Sequence, residues 1–322
     1  MIKITDYLSR RLPLLIVIVG ITTYFSPFYL KVPPIIPSSL LGIVILFTGL
    51  SMNVDSIKEI TTKKRELFIV ALLKWTVTVF ISIGLAYSFF FTKPEVAAGL
   101  ILAGAVPSAT AAAVYTFLAG GNTSLVIASS LLDVMISPFI TPLSLIGFSS
   151  DQISISFLSL LKSFLFIVII PLSAGLFLQK IASQFVSNSK LVTRLGSSLS
   201  LLLIVHIIVG SGKEAISREI GLLPLVGLAT FIQVFLPMVL TYFICHKLRV
   251  SEEDTRASIF QVGLCNSALA AILAYQFIGE LGVIAPVLNM IFNLSIGAYV
   301  ANYYTKMEIQ TTHLEPVNKL TV

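Results

Sequence analysis

Gly104-Ala105-Val106-Pro107-Ser108-Ala109-Thr110-Ala111-Ala112-Ala113 sets a helix-breaker in the middle of an apolar stretch, and its reading decides the fold. Pro107 removes a backbone donor and clashes with the preceding turn, so the carbonyls it frees must find partners inside the protein. A counterpart, Gln261-Val262-Gly263-Leu264-Cys265-Asn266-Ser267, interrupts a second apolar stretch late in the chain. Both breaks are costly in a hydrocarbon surrounding unless they are used.

That surrounding follows from composition. Of 322 residues, 56% are hydrophobic and 11% charged, with a mean hydropathy of +0.98, which excludes an ordinary soluble domain. Apolar windows predict ten membrane spans at about 12–30, 36–53, 66–91, 96–119, 122–148, 153–180, 192–211, 220–246, 255–278 and 282–304. The first run, from Leu14 to about Leu30, lacks a small-residue cleavage site and reads as a span rather than a signal peptide.

With a cytoplasmic N-terminus, Lys3, Arg10, Arg11, Lys58, Lys63, Lys64, Arg65, Lys180, Lys190, Arg194, Lys247, Arg249, Arg256, Lys306 and Lys319 fall inside. Only Lys31, Lys93, Lys213 and Arg218 fall outside, a bias of 15 to 4 that places both termini in the cytoplasm of a multi-pass plasma (inner) membrane protein. The net charge of +6 is thus a topology signal spread over short loops, and no nucleic-acid surface is implied. Cys245 and Cys265 form neither a disulfide framework nor a metal site, and no cofactor is expected.

Ser149-Ser150-Asp151-Gln152 is a polar break between halves. Five spans per half invert the second relative to the first, so the expected fold class is all-α and polytopic: residues 1–150 as one five-helix repeat with a broken helix at about 96–119, residues 151–307 as its inverted partner with a broken helix at about 255–278, and residues 308–322 as a polar cytoplasmic tail. Broken spans at equivalent places in two halves mark a secondary transporter's binding site. Ser108, Ala109 and Thr110 open one half-helix, and Asn266 and Ser267 the other; free N–H groups and the positive helix end at each suit an anion.

The ten-span order, the Pro107-x-x-Thr110 break, Val262-Gly263-x-x-Asn266-Ser267, Asn122 after a glycine pair, and Ser137-Pro138 with Thr141-Pro142 resemble the bile acid:sodium symporter family over nearly the whole chain. The resemblance implies panel and core domains, crossing broken fourth and ninth helices, and alternating access for organic anions such as bile acids, steroid sulfates or pantoate. By position it implies that Thr110 and Asn266 contact substrate.

The family's sodium ligands do not carry over. Ala112-Ala113 replace Ser-Asn, Val126 replaces a Ser, Ser130 stands for a Thr, and Gln261 and Cys265 replace a Glu and a Gln. Alanine, valine and cysteine offer no hard oxygen donors, so sodium is doubtful. Allowing one inserted residue, Lys74 falls where the family presents a Gln to an ion, so the expectation is that its ammonium replaces sodium at the negative half-helix ends. Asp133, the one carboxylate well inside a span, needs a basic partner or a proton. An Asp133–Lys74 pair would suit proton coupling and an Asp133–Lys162 pair a structural tie; both stay open, although the resemblance favours a structural Lys162.

His206 reads as a packed histidine, and Gln233, Asn289 and Asn293 as interhelical hydrogen-bonders. The sequence therefore points to a secondary carrier of small carboxylates, keto acids or bile-acid-like anions, sodium-independent or proton-linked. A sodium-coupled symporter using Gln261, Ser130 and backbone carbonyls, and a non-transporting sensor, are the alternatives. An intramembrane enzyme lacks the paired carboxylates or helical histidines it would need.

Overall fold

The computed structural model describes residues 2–52, 62–146, 156–181 and 190–314, and among these the regular elements are helices. In chain order they are α1 (Ile2–Phe25), α2 (Ile35–Ser51), α3 (Lys64–Phe90), α4 (Pro94–Gly104), α5 (Ala111–Leu118), α6 (Thr123–Ser144), α7 (Phe157–Ile181), α8 (Lys190–Arg218), α9 (Leu223–Lys247), α10 (Glu252–Gly263), α11 (Ser267–Phe277) and α12 (Ile284–Leu314). Among the described residues, six stretches are long and apolar enough to cross a bilayer: Lys64–Phe90, Thr123–Ser144, Phe157–Ile181, Leu195–Arg218, Ile220–Lys247 and Leu281–Met307. Leu14–Phe25, Ile35–Ser51, Pro94–Gly104 and Ser267–Phe277 are shorter apolar helices. The molecule is a multi-pass membrane protein.

Packing sorts the helices into two groups. α1, α2, α7 and α8 pack on one another, whereas α3 to α6 and α9 to α12 form the larger group around α4 and α11. Gly49 of α2 meets α7 so closely that a Cβ there would lie 2.7 Å from the Leu172 carbonyl. Such small-residue contacts let helices associate where lipid supplies no hydrophobic drive. Polar links between the groups occur at the end away from the α5–α6 loop: Lys93 Nζ to Glu219 Oε1 at 2.6 Å, and Gln276 Nε2 to Ser38 Oγ at 2.5 Å and the Pro34 carbonyl at 3.3 Å.

Two departures from sequence expectation have local causes. α12 continues through Leu314, so the first residues of the stretch expected as a polar tail are helical, since Thr305 to Leu314 contains neither Gly nor Pro. α3 is not a plain helix: Lys74–Thr78 forms a single π turn, and α7 holds another at Leu165–Ile169. The Ser149–Gln152 break lies outside the described residues.

Candidate functional site at the crossing of two broken helices

α4 stops at Gly104 and α5 starts at Ala111; α10 stops at Gly263 and α11 starts at Ser267. Between these ends the two linkers lie antiparallel. The Ala109 N–H donates to the Leu264 carbonyl at 3.0 Å, the Asn266 N–H donates to the Pro107 carbonyl at 2.8 Å, and Ser108 and Cys265 face each other as an isolated bridge. Each break supplies what the other lacks, as the absence of water in a bilayer demands.

Carbonyls at the two C-terminal ends are met by neutral hydroxyls: Thr141 Oγ1 donates to the Ala105 carbonyl, and Thr78 Oγ1 to the Val262 carbonyl at 2.9 Å. Gly263 is set by space rather than by backbone freedom, because a Cβ on it would overlap the side chain of Met238.

Several N–H groups expected to be free are therefore already used. Ser108 donates its N–H to Asp133 Oδ2 at 3.3 Å, Ala109 and Asn266 bond across the bridge, and the Ser267 N–H reaches the Cys265 carbonyl at 2.9 Å. Ser108 and Ser267 are also buried. What stays accessible is the exposed Thr110 and the half-buried Asn266. Asn266 Oδ1 caps α11 by accepting from the Leu269 N–H at 3.2 Å. Among the described residues, its Nδ2 and the Thr110 hydroxyl have no partner and remain available as donors.

Lys74 is fully buried, with 0% exposure, and does not reach a surface. Its Nζ donates to Cys265 Sγ at 2.9 Å, inside the crossing. The π turn that begins at Lys74 adds one residue to the helix.

Asp133, 1% exposed, meets neither lysine at ion-pair distance, and Lys162 is exposed on α7. Its oxygens accept from neutral donors: Trp75 Nε1 at 2.9 Å, Gln261 Nε2 at 2.9 Å and the Ser108 N–H. Three such bonds satisfy a buried carboxylate without a contacting cation. Trp75 escaped sequence reasoning, although as the one tryptophan beside Lys74 in a span it was a visible donor. Ser130, half-buried, donates to Gln261 Oε1 at 3.3 Å and lies 3.5 Å from Ser108 Oγ.

Behind the crossing runs a buried polar chain. Ser267 Oγ donates to Asn289 Oδ1 at 2.6 Å, Asn289 Nδ2 to Gln233 Oε1 at 2.8 Å, and Gln233 Nε2 to Ser82 Oγ at 2.8 Å. Asn293 Nδ2 approaches Ser267 Oγ at 2.7 Å and the Cys265 carbonyl at 2.8 Å. His206 stands apart among α1, α2 and α8, bonded to Thr23 Oγ1 at 2.8 Å and to the Leu30 N–H at 3.3 Å.

A second cluster fixes the ends of α5 and α10 remote from the crossing. Asp254, the third residue of α10, accepts from Lys63 Nζ at 2.8 and 2.6 Å, Asn122 Nδ2 at 2.7 Å and Ser251 Oγ at 2.7 Å. Burial pushes its carboxyl upward, but the hydrogen bonds from Lys63, Ser251 and Asn122 outweigh it and hold the group below its ordinary value. Arg256 adds a bond to the Ala119 carbonyl at 2.8 Å and stacks 4.8 Å from the Tyr304 ring centroid.

Paired interruptions buried among apolar helices, with two free donors at their edge, belong to membrane carriers of small molecules rather than to enzymes. A family model described as the sodium bile acid symporter family matches residues 38–219, and the chain belongs to that family. The Bacillus subtilis protein named as the uncharacterized sodium-dependent transporter YocS is 29% identical over 270 residues, covering 83% of this chain and 82% of its own. The Arabidopsis thaliana chloroplast protein named as the probable sodium/metabolite cotransporter BASS1 is 27% identical over 245 residues, covering 74% of this chain and 59% of its own. The chain is thus a transporter with a small-molecule substrate, not an enzyme.

Proposed function

We propose that the protein moves a small organic anion by alternating access, with Thr110 and Asn266 holding the anion at the crossing. Ten spans in two inverted repeats, residues 1–150 and 151–307, arrange the broken fourth span (α4 and α5) and ninth span (α10 and α11) across each other. The four-helix group is the panel and the larger group the core, and the cytoplasm lies on the side of the termini. Small carboxylates, keto acids and bile-acid-like anions are the substrate class. The observation that carries the reading is the pair of unspent donors, Thr110 Oγ1 and Asn266 Nδ2, at adjoining half-helix starts.

In this reading Lys74 sits where relatives bind sodium, and transport does not need that ion. Its full burial inside the crossing supports this, as does the loss of oxygen ligands at Ala112, Ala113, Val126 and Cys265. The names of the relatives favour a second reading, sodium coupling, for which Gln261, Ser130 and backbone carbonyls would serve as ligands.

The melting temperature of purified protein in sodium chloride against choline chloride at equal ionic strength separates the two. No sodium-specific rise is expected for the wild type, and such a rise would restore sodium coupling. Uptake into proteoliposomes across a panel of carboxylates, with counterflow, tests carriage itself; ligand-induced stabilisation without flux would make the protein a sensor.

A further inference from the structure

We infer that Asp133, positioned by Trp75 and Gln261, is the built-in counter-charge of Lys74, so that the crossing is a cation seat neutralised from within, and that removing the lysine converts it into a sodium site with Asp133 as its charged ligand. The inference rests on the reading of Lys74 as the occupant of the ion's place, and adds to it the carboxylate that makes the exchange work.

The two charges share one cluster without touching. Lys74 and Trp75 are consecutive in the π turn: the first reaches Cys265 Sγ at 2.9 Å and the second gives its indole N–H to Asp133 at 2.9 Å. Cys265 bridges Ser108, whose N–H closes the circuit on Asp133. A thiol is a weak acceptor, so an ammonium with 0% exposure and, among the described residues, a thiol as its one hydrogen-bond partner is poorly satisfied by direct contacts. The field of a nearby carboxylate, Asp133 in the same cluster, compensates it. Removal of either partner leaves the other charge buried and unmatched, whereas removal of both does not.

The cluster that includes Asp133 also carries the oxygens that a small hard cation requires. Asp133 supplies two, Gln261 Oε1 and Ser130 Oγ lie 3.3 Å apart, and Ser108 Oγ is 3.5 Å from Ser130. Half-buried Ser130 and exposed Thr110 give this cluster a route to water. With glutamine at 261, the negative charge that a cation needs comes from α6 instead of α10, and Gln261 Nε2 ties the two positions at 2.9 Å.

The test uses full-length protein in four forms: wild type, Lys74→Gln, Asp133→Asn and the double variant. Melting is followed in sodium chloride against choline chloride, and the emission of Trp75, the one tryptophan of the chain, is followed during sodium titration. Lys74→Gln is expected to gain a saturable, sodium-specific rise in melting temperature with a matching change in Trp75 emission, and the double variant to lose both. In choline chloride, the double variant is expected to melt above either single variant.

A sodium response that survives in the double variant would overturn the role of Asp133, as would a silent Lys74→Gln. If Lys74→Gln fails to fold, the double variant decides: recovery above Asp133→Asn supports the coupling, and no recovery refutes it. A sodium response in the wild type refutes the underlying placement of Lys74, a separate outcome from these.

Discussion

Replacing Asp254 by alanine tests whether the ends of the half-helices are fixed by one buried carboxylate. The side chain is 4% exposed and holds Lys63, Asn122 and Ser251, which come from the start of α3, the α5–α6 loop and the start of α10. Breaking a fully buried ion pair costs about 3–5 kcal/mol. Lys63 is 37% exposed and can turn to water, so its share falls toward the roughly 0–1 kcal/mol of a surface pair. Asn122 and Ser251 each forfeit a hydrogen bond to a charged group, about 1.5 kcal/mol apiece. The sum is about 3 kcal/mol, or a fall of about 6 °C at about 2 °C per kcal/mol for a chain of this length.

Asp254→Asn keeps the shape and loses the charge, and is expected to lose about half as much. The pH dependence has a definite sign. The folded carboxyl titrates below its ordinary value, so its stabilisation is full above about pH 4 and is lost as pH falls through the folded value. The wild type should therefore lose melting temperature in acid faster than Asp254→Asn does. Thermal melts in detergent at pH 7 and at stepped acidic pH measure both. An Asp254→Ala protein that melts within about 1 °C of wild type would refute the reasoning, since a surface change is worth at most about 0.5 kcal/mol.

Other outcomes follow from the same geometry. Thr110→Ala should raise the KM for transport about tenfold with little change in melting, because the lost donor bonds only substrate. Asn266→Ala should do the same and also lose about 1 kcal/mol of stability with its cap, so a melting change without a KM change would remove it from the site. Gly263→Ala should destabilise by about 1–3 kcal/mol through overlap with Met238, and Met238→Ala in the same chain should recover part of that; thermal melts of both decide. Trp75→Phe should cost about 1–3 kcal/mol by leaving Asp133 one donor short, whereas unchanged melting would show that the indole bond contributes nothing.

How far the sequence reached depends on the range of the interaction. The breaks at Pro107 and Gly263–Asn266 were legible because helix termination is local: a missing N–H and a capping asparagine act within one turn. The cap of Asn266 on Leu269 was readable for the same reason. The pairing of the two breaks with each other was not, since Ala109 and Leu264 meet only through the packing of α4, α5, α10 and α11. Donors assigned to substrate at Ser108, Ala109 and Ser267 are for that reason used internally. In the sequence Asp133 asks for a basic partner or a proton; the structure meets its oxygens with an indole, an amide and a backbone N–H, donors that come together only through packing. The π turn leaves no local mark in the sequence, because neither Gly nor Pro interrupts Lys74–Thr78.

If Lys74 holds the ion's place, as proposed, the tethered cation also changes what can drive transport. A sodium ion carried with the substrate adds its own gradient and charge, whereas Lys74 never leaves the protein. Moving a monovalent anion alone then transfers one negative charge, and a membrane potential of 100 mV, negative inside, opposes its entry by about 2.3 kcal/mol. Since about 1.4 kcal/mol is a factor of ten, the anion should settle about 50-fold lower inside than at zero potential. Proteoliposomes held at equal pH with a potassium diffusion potential measure that ratio directly, and exchange of substrate for substrate should be indifferent to it. Accumulation that rises with an inward sodium gradient at inside-negative potential would show that a free cation travels with the substrate, and Lys74 would then be a fixed part of the scaffold rather than a substitute for the ion.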